Sequence, residues 1–191
     1  MFNEKEVVRM IVILEGMDRC GKDTQANAII NHYVGCSFHQ IHYSKTPKLT
    51  PQASLAYANR LYHGMFKLAD MALESDLSLI INRSHLGENV YGHYRGYDGA
   101  YVFELEREYG HLMNDIYLFV LVDEPTNALE REDGDSWGKT LGEKQDEKAR
   151  FEDAYYFTSI VNKTLINISG KNVETVSAII LDRLSTSKVY E

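Results

Sequence analysis

The chain has 191 residues, 44% of them hydrophobic, with a formal net charge of −8 and a pI near 5.4. One ordinary globular domain, residues 1–191, fits that length, and two independent catalytic domains do not. The acidic balance gives no chain-wide footprint for nucleic acid or an anionic membrane, so a small anionic ligand held in a local basic cleft is the easier partner.

Cys20 and Cys36 are the only cysteines. They form neither a disulfide framework nor a zinc-spaced cluster, which fits a reducing cytoplasm. The apolar run near the start is too short for a membrane span and leads straight into a glycine loop, so it is expected to be a buried first strand, Met10 to Leu14. From Lys22 the sequence has helical spacing, with Ala26, Ile29, Ile30 and Tyr33 on one side. A short strand is expected over Phe38 to Tyr43, a loop over Pro47 to Pro51, and one long helix from Gln52 to about Glu74. Leu77 to Ile81 reads as another buried strand, carrying Asn82, Arg83 and Ser84 at the end where open α/β sheets bind ligands. After a Gly- and Tyr-rich segment, Gly87 to Tyr101, come a helix near Val102 to Tyr109 and the strand Ile116 to Val122. A polar stretch, Asp123 to Gly142, precedes a charged helix, Glu143 to Thr164, a last strand, Leu165 to Ile168, and a closing helix, Val173 to Leu184. The alternation predicts one α/β domain with a mainly parallel sheet flanked by helices.

Gly16-Met17-Asp18-Arg19-Cys20-Gly21-Lys22-Asp23-Thr24 has the G-x-x-x-x-G-K spacing of a phosphate-binding loop, between a strand and a helix as that motif requires. Glycines let backbone N–H groups approach phosphate oxygens, the helix N-terminus supplies positive potential, and Lys22 reaches the β and γ oxygens of a nucleotide. Gly16, Asp18, Cys20, Gly21, Lys22, Asp23 and Thr24 are therefore the candidate ATP-binding residues. Where the motif places a Ser or Thr hydroxyl on Mg²⁺, this chain has the carboxylate of Asp23, the candidate metal ligand.

The segment Ile13 to Gln25 resembles the thymidylate kinase P-loop, F-E-G-x-D-R-x-G-K-[ST]-T-Q, matching at Glu15, Gly16, Asp18, Arg19, Gly21, Lys22, Thr24 and Gln25. The resemblance implies the three-layer P-loop kinase fold. It assigns Asp18 to the 3′-hydroxyl of an acceptor deoxyribose and Arg19 to the transferring phosphoryl group. The family's D-R-[YF]-x-x-S-x-x-A-Y-Q segment corresponds to Asn82 through Gly92, where the arginine and the tyrosine are kept. Arg83 is then the expected grip on the acceptor phosphate, since a guanidinium fork matches its oxygens, and Tyr91 lines the acceptor pocket. Asn82 replaces the family's acid, and Gly92 its base-contacting glutamine.

Tyr57-Ala58-Asn59-Arg60 resembles the family's F-[SA]-A-N-R segment. By that likeness Arg60 contacts the base or phosphate and Phe66 is the nearby stacking aromatic. The stretch around 131–146 resembles the family's lid, which implies that Arg131 closes over the donor phosphates, with Glu147 and Phe151 following on the next helix. Ile168 to Val173 resembles the loop that cradles the donor adenine, and Ser84 to Tyr97 is similar to divergent bacteriophage members of the family.

The resemblance implies Arg19, Lys22, Arg83 and Arg131 as catalytic residues, ATP and Mg²⁺ as cofactors, a host or cellular cytoplasmic location and a homodimer. The implied reaction moves the γ-phosphate of ATP to a deoxynucleoside monophosphate, dTMP or a related pyrimidine nucleotide first. A phosphate acceptor is already a nucleophile, so positioning and charge neutralisation carry the transfer. A hydroxyl acceptor on DNA or a modified base, and a regulatory nucleotide-binding ATPase, stay open as alternatives. Asp23 and Asn82 are expected to face each other, the two having exchanged the charge that the family places at the second position.

Overall fold

In a doubly covered parallel sheet an aliphatic run is buried on both faces, and Ile11, Val12, Ile13 and Leu14 are fully buried. Each such side chain contributes about 1.5–3 kcal/mol relative to leaving it in water. The computed structural model describes residues 9–34, 36–43, 47, 49–75 and 77–186. Among these residues, five strands pair in parallel throughout: β1 (Ile11–Gly16), β2 (Phe38–His42), β3 (Ser78–Asn82), β4 (Ile116–Val122) and β5 (Asn162–Asn167). Their spatial order is β2-β3-β1-β4-β5.

Parallel neighbours need crossovers, and helices supply them: α1 (Lys22–His32), α2 (Pro51–Glu74), α3 (His85–Tyr91), α4 (Val102–Glu108), α5 (Pro125–Glu130), α6 (Leu141–Phe157) and α7 (Val173–Thr186). Because β1 lies between β3 and β4, with Leu14 level with Asn82 and Gly16 level with Leu121, the C-terminal ends of the three central strands open one crevice. Among the described residues no helix is long and apolar enough to cross a membrane.

Several elements differ from the sequence reading for identifiable reasons. The segment after Ser84 begins as a helix, α3, rather than an irregular Gly- and Tyr-rich stretch; the Ser84 hydroxyl caps it by accepting from Leu86 N. The charged helix begins at Leu141, because Thr140 and Glu143 form a reciprocal capping box, so residues 141–146 of the expected lid are helical. It ends at Phe157, where Glu106 of α4 takes the next residues, accepting from the Thr158 hydroxyl and from Ser159 N at 2.7 Å. The last strand accordingly starts at Asn162 instead of Leu165.

Candidate functional site

β1 ends in Gly16, whose φ of +134° only glycine adopts with ease, and whose Cα lies so close to the Leu121 carbonyl that any Cβ would overlap it. Gly21, at φ +76°, turns the loop into α1. The Lys22 side chain folds under the loop, its Nζ donating to the Gly16 carbonyl at 2.9 Å and the Met17 carbonyl at 2.8 Å. Burial pushes the Cys20 thiol up to about 11, outweighing Lys22 and Arg131, which act the other way. Cys20 is thus a neutral packing residue of the loop rather than a thiolate. A cleft of about 590 Å³ spreads over the loop, lined by Arg19 through Thr24, Asn82, Arg83 and Arg131. That volume suits a small ligand.

Arg19 and Arg83 are the non-glycine residues with positive φ among those described, at +62° and +67°. Left-handed backbone at a bulky residue persists only where the surroundings over-determine it, and such residues cluster at functional sites. For Arg83 the cause is visible. Its N–H donates to the Leu14 carbonyl at 2.9 Å, and the next residue is pinned by the buried Glu15, which accepts from Ser84 N, from the Ser84 hydroxyl at 3.0 Å and from Gly87 N at 3.0 Å. The Arg83 guanidinium stands 3.5 Å from Asp18, while Arg19 pairs with Asp133.

Asp23 and Asn82 meet: the Asn82 amide donates to Asp23 Oδ1 at 2.5 Å, and His42 Nδ1 lies 3.2 Å from the same oxygen. The Asn82 side-chain oxygen, Oδ1, is buried and has no hydrogen-bond partner, whereas its backbone carbonyl accepts from Tyr43 N at 3.1 Å. Among the described residues no group of three or more His, Cys, Asp or Glu could enclose a metal. Mg²⁺ in a nucleotide site usually takes only one or two carboxylates and completes its shell with phosphate oxygens and water. The exposed Asp23 carboxylate, one oxygen of which is held by the Asn82 amide, fits that pattern.

A second, much narrower cleft, about 40 Å³ as it stands, shares Lys22 and Arg83 with the first and extends past Glu15, Gly16 and Asp18 to Tyr43, Tyr62, Tyr91, Arg95 and Trp137. Tyr91 donates to Glu147 Oε1 at 2.5 Å, and the same oxygen accepts from Asp18 N at 2.9 Å. Burial, then the Glu147 charge, raises the Tyr91 phenol well above its ordinary value, so it stays a donor. Behind it the fully buried Lys144 links Glu147, at 3.3 Å, to Glu132, at 3.4 Å.

Gly16, Asp18, Cys20, Gly21, Lys22, Asp23, Thr24, Arg83, Tyr91 and Arg131 thus line one or both clefts, and Arg19 joins them. Arg131 is held by the buried Asp123. Phe66 is not at the site: it is fully buried, stacked on Tyr109 at 5.1 Å and against His85 at 4.9 Å, because it belongs to the apolar stripe Ala58, Tyr62, Met65, Phe66, Ala69 of α2. Arg60 is exposed on α2 and lines neither cleft. His85 is buried against Glu106 at 2.7 Å and serves the core. The sequence reading gave no role to Glu15, Tyr43, Tyr62, Arg95, Lys144 or Trp137. Two of them carry a signal in the sequence: Glu15, which matches the family's P-loop motif, and Trp137, an isolated Trp between Ser136 and Gly138 in a polar stretch.

No protein-family model matches the chain, and no curated protein matches its sequence. Solved structures do resemble it. Thymidylate kinase from Candida albicans matches with a TM-score of 0.66 at 15% identity, over 96% of this chain and 94% of that one. The YorR protein of Bacillus subtilis, in complex with phosphorylated GDP, matches with a TM-score of 0.69 at 15% identity, over 95% and 99%. Thymidylate kinase from Ehrlichia chaffeensis matches with a TM-score of 0.61 at 15% identity, over 92% and 98%. With its parallel sheet, phosphate loop and paired clefts, the chain has a thymidylate kinase-like α/β P-loop kinase fold.

Proposed function

We propose that the chain is a nucleotide kinase that transfers the γ-phosphate of Mg²⁺-ATP to a deoxynucleoside monophosphate, with dTMP or a related pyrimidine nucleotide the first candidate. The observation that carries this reading is the sharing of Lys22 and Arg83 by the two clefts, one over the phosphate loop and one lined by aromatic side chains. A donor in the first and an acceptor in the second would bring their phosphates together at two cations, as in-line transfer needs.

Lys22 and Arg19 neutralise charge on the transferring group, Arg131 covers the donor phosphates, and Arg83 holds the acceptor phosphate. Asp23 would face the divalent cation through its exposed oxygen, supported by Asn82. The cation supplies charge neutralisation between the phosphates when bound. Asp18 stands beside Arg83, and Tyr91 is fixed by Glu147, where they would meet the acceptor sugar. Both carboxylates lining the acceptor-side cleft are engaged, Glu15 by the α3 amides and Asp18 by Arg83. This favours an acceptor that needs no general base, a phosphate rather than a hydroxyl. Named neighbours of the fold act on thymidylate or bind phosphorylated GDP, so purine acceptors belong in the test.

The test is a product assay with ATP against deoxy- and ribonucleoside monophosphates, nucleosides and DNA oligonucleotides. The expected result is ADP plus a nucleoside diphosphate from at least one deoxynucleoside monophosphate, with much weaker turnover of its ribonucleotide. Transfer to DNA alone, or ATP hydrolysis without transfer, would overturn the reading.

A further inference from the structure

With Phe66 sealed in the core, the aromatic surface offered to an acceptor comes from elsewhere. Trp137, the single tryptophan of the chain, lies in the irregular segment between α5 and α6, and its indole lines the acceptor-side cleft. Its neighbours Ser136 and Gly138 are buried while the indole itself is only partly so. The segment is therefore anchored by its backbone and presents the ring to the cleft.

The anchoring is specific. Glu132 accepts from Gly134 N at 2.7 Å and Ser136 N at 3.3 Å and pairs with the buried Lys144. The indole stacks on Tyr94 with ring centres 5.6 Å apart and planes within 16°. The Arg95 guanidinium carbon lies over the indole ring, 5.8 Å from its centre. Arg95 is fixed by the fully buried Glu88 at 2.5 Å and the Tyr97 hydroxyl at 2.9 Å. The buried carboxylate neutralises this arginine, so it suits a neutral hydrogen-bond acceptor better than a phosphate, whereas Arg83, more exposed and 3.5 Å from its carboxylate, suits the anion.

We propose that Trp137, backed by Tyr94 and with Arg95 over its ring, forms with Arg95 the part of the cleft wall against which the base of the acceptor nucleotide packs. The inference rests on the nucleotide-kinase reading above and adds a residue, Trp137, that binds the acceptor from the segment that also carries Arg131 over the phosphate loop. A planar base gains contact with an indole and a guanidinium whatever its sequence identity. One segment then touches both substrates, so filling the acceptor cleft steadies the arginine that faces the donor.

As the single tryptophan, Trp137 reports on itself. In the unmodified protein without ATP, titration with a deoxynucleoside monophosphate is expected to change its emission, whereas 2-deoxyribose 5-phosphate, the same ligand lacking the base, leaves it nearly unchanged. An equal response to both ligands, or none to either, overturns the proposal even if no variant folds. Calorimetry then separates stacking from structure. Trp137→Ala should weaken nucleotide binding about 10-fold or more while changing 2-deoxyribose 5-phosphate binding less than about 2-fold, and Trp137→Phe should restore most of the loss. Equal losses for both ligands would make Trp137 a structural residue and sink the inference. If the native protein binds nucleotides through their base yet transfers no phosphate, the kinase reading fails and this one stands. If it transfers phosphate with an unchanged acceptor KM in Trp137→Ala, the reverse holds.

Discussion

The phosphate loop and the aromatic wall sit at two ends of one crevice and are built in opposite ways. The loop is a contiguous segment: a fully buried strand delivers it, two glycines shape it, and its lysine is tied to the loop's own carbonyls at 2.8–2.9 Å. The acceptor-side cleft around that wall draws Tyr43, Tyr62, Tyr91, Arg95 and Trp137 from several elements, with Arg95 fixed by Glu88, Tyr91 by Glu147 and Trp137 stacked on Tyr94. Phosphate recognition, which uses backbone amides and fixed charge, can be written into a short motif. Base recognition depends on side-chain surfaces that several elements bring together, so it can change without disturbing the loop. Mutations should therefore act steeply and locally in the loop, and through networks elsewhere.

The largest effect is expected in the loop. Lys22→Ala and Arg19→Ala should each lower kcat by at least about 10²-fold with the fold retained, because on the proposed function both cations would face charge that develops during transfer. Steady-state kinetics alongside circular dichroism would decide it, and near-native turnover in either variant would erase the contrast between the two regions.

A sharper probe lies where loop and sheet meet, at the 2.5 Å contact between Asn82 and Asp23. Asp23→Ser should remove the nearby carboxylate and most of the activity. Asn82→Asp should crowd two carboxylates and alter the Mg²⁺ dependence. The double variant should recover more activity than the sum of the single losses allows, a coupling of about 0.5–3 kcal/mol in kcat/KM over a Mg²⁺ titration. Strictly additive losses would mean that the two positions changed independently.

The smallest effect concerns the anchor beneath the wall. Burial pushes the Glu132 carboxyl up, but hydrogen bonds from Ser136 and Gly134 and the Lys144 charge outweigh it and bring the group from 4.5 down to about 2. A carboxyl lowered by folding contributes stability that is complete above its unfolded value and is lost as pH falls through the folded one. The deficit of Glu132→Gln in urea unfolding should therefore be full above about pH 5 and shrink toward zero near pH 2. A deficit that does not vary with pH would detach Glu132 from the charge network.

What could be read from residues alone follows the same division. The first strand, the phosphate loop, α1 and the long α2 follow local rules: an unbroken apolar run, glycine spacing, and helical periodicity with Thr50 and Pro51 at the α2 start. Phe66 was misassigned because an aromatic on an amphipathic helix looks the same from sequence whether it meets substrate or core. Only the packing of Tyr109 and His85 against it separates the two. The α6 boundaries erred in two ways. The start was legible in the Thr140–Glu143 capping box, whereas the end depends on Glu106, far away in the chain, capturing Thr158 and Ser159.

By itself, then, the sequence determined the parallel α/β order of elements and the position of the phosphate loop. Hydrophobic runs, glycines and caps act over a few residues, and the chain carries that information directly. Tertiary structure alone decided that Lys22 and Arg83 serve two clefts at once. It also decided that Glu15 braces α3, and that Trp137 reaches across from the segment before α6 to Tyr94 and Arg95. Those outcomes depend on which side chains become neighbours once β1 is enclosed by β3 and β4 and the helices close over the sheet. Such long-range proximity leaves no periodic trace in the order of residues.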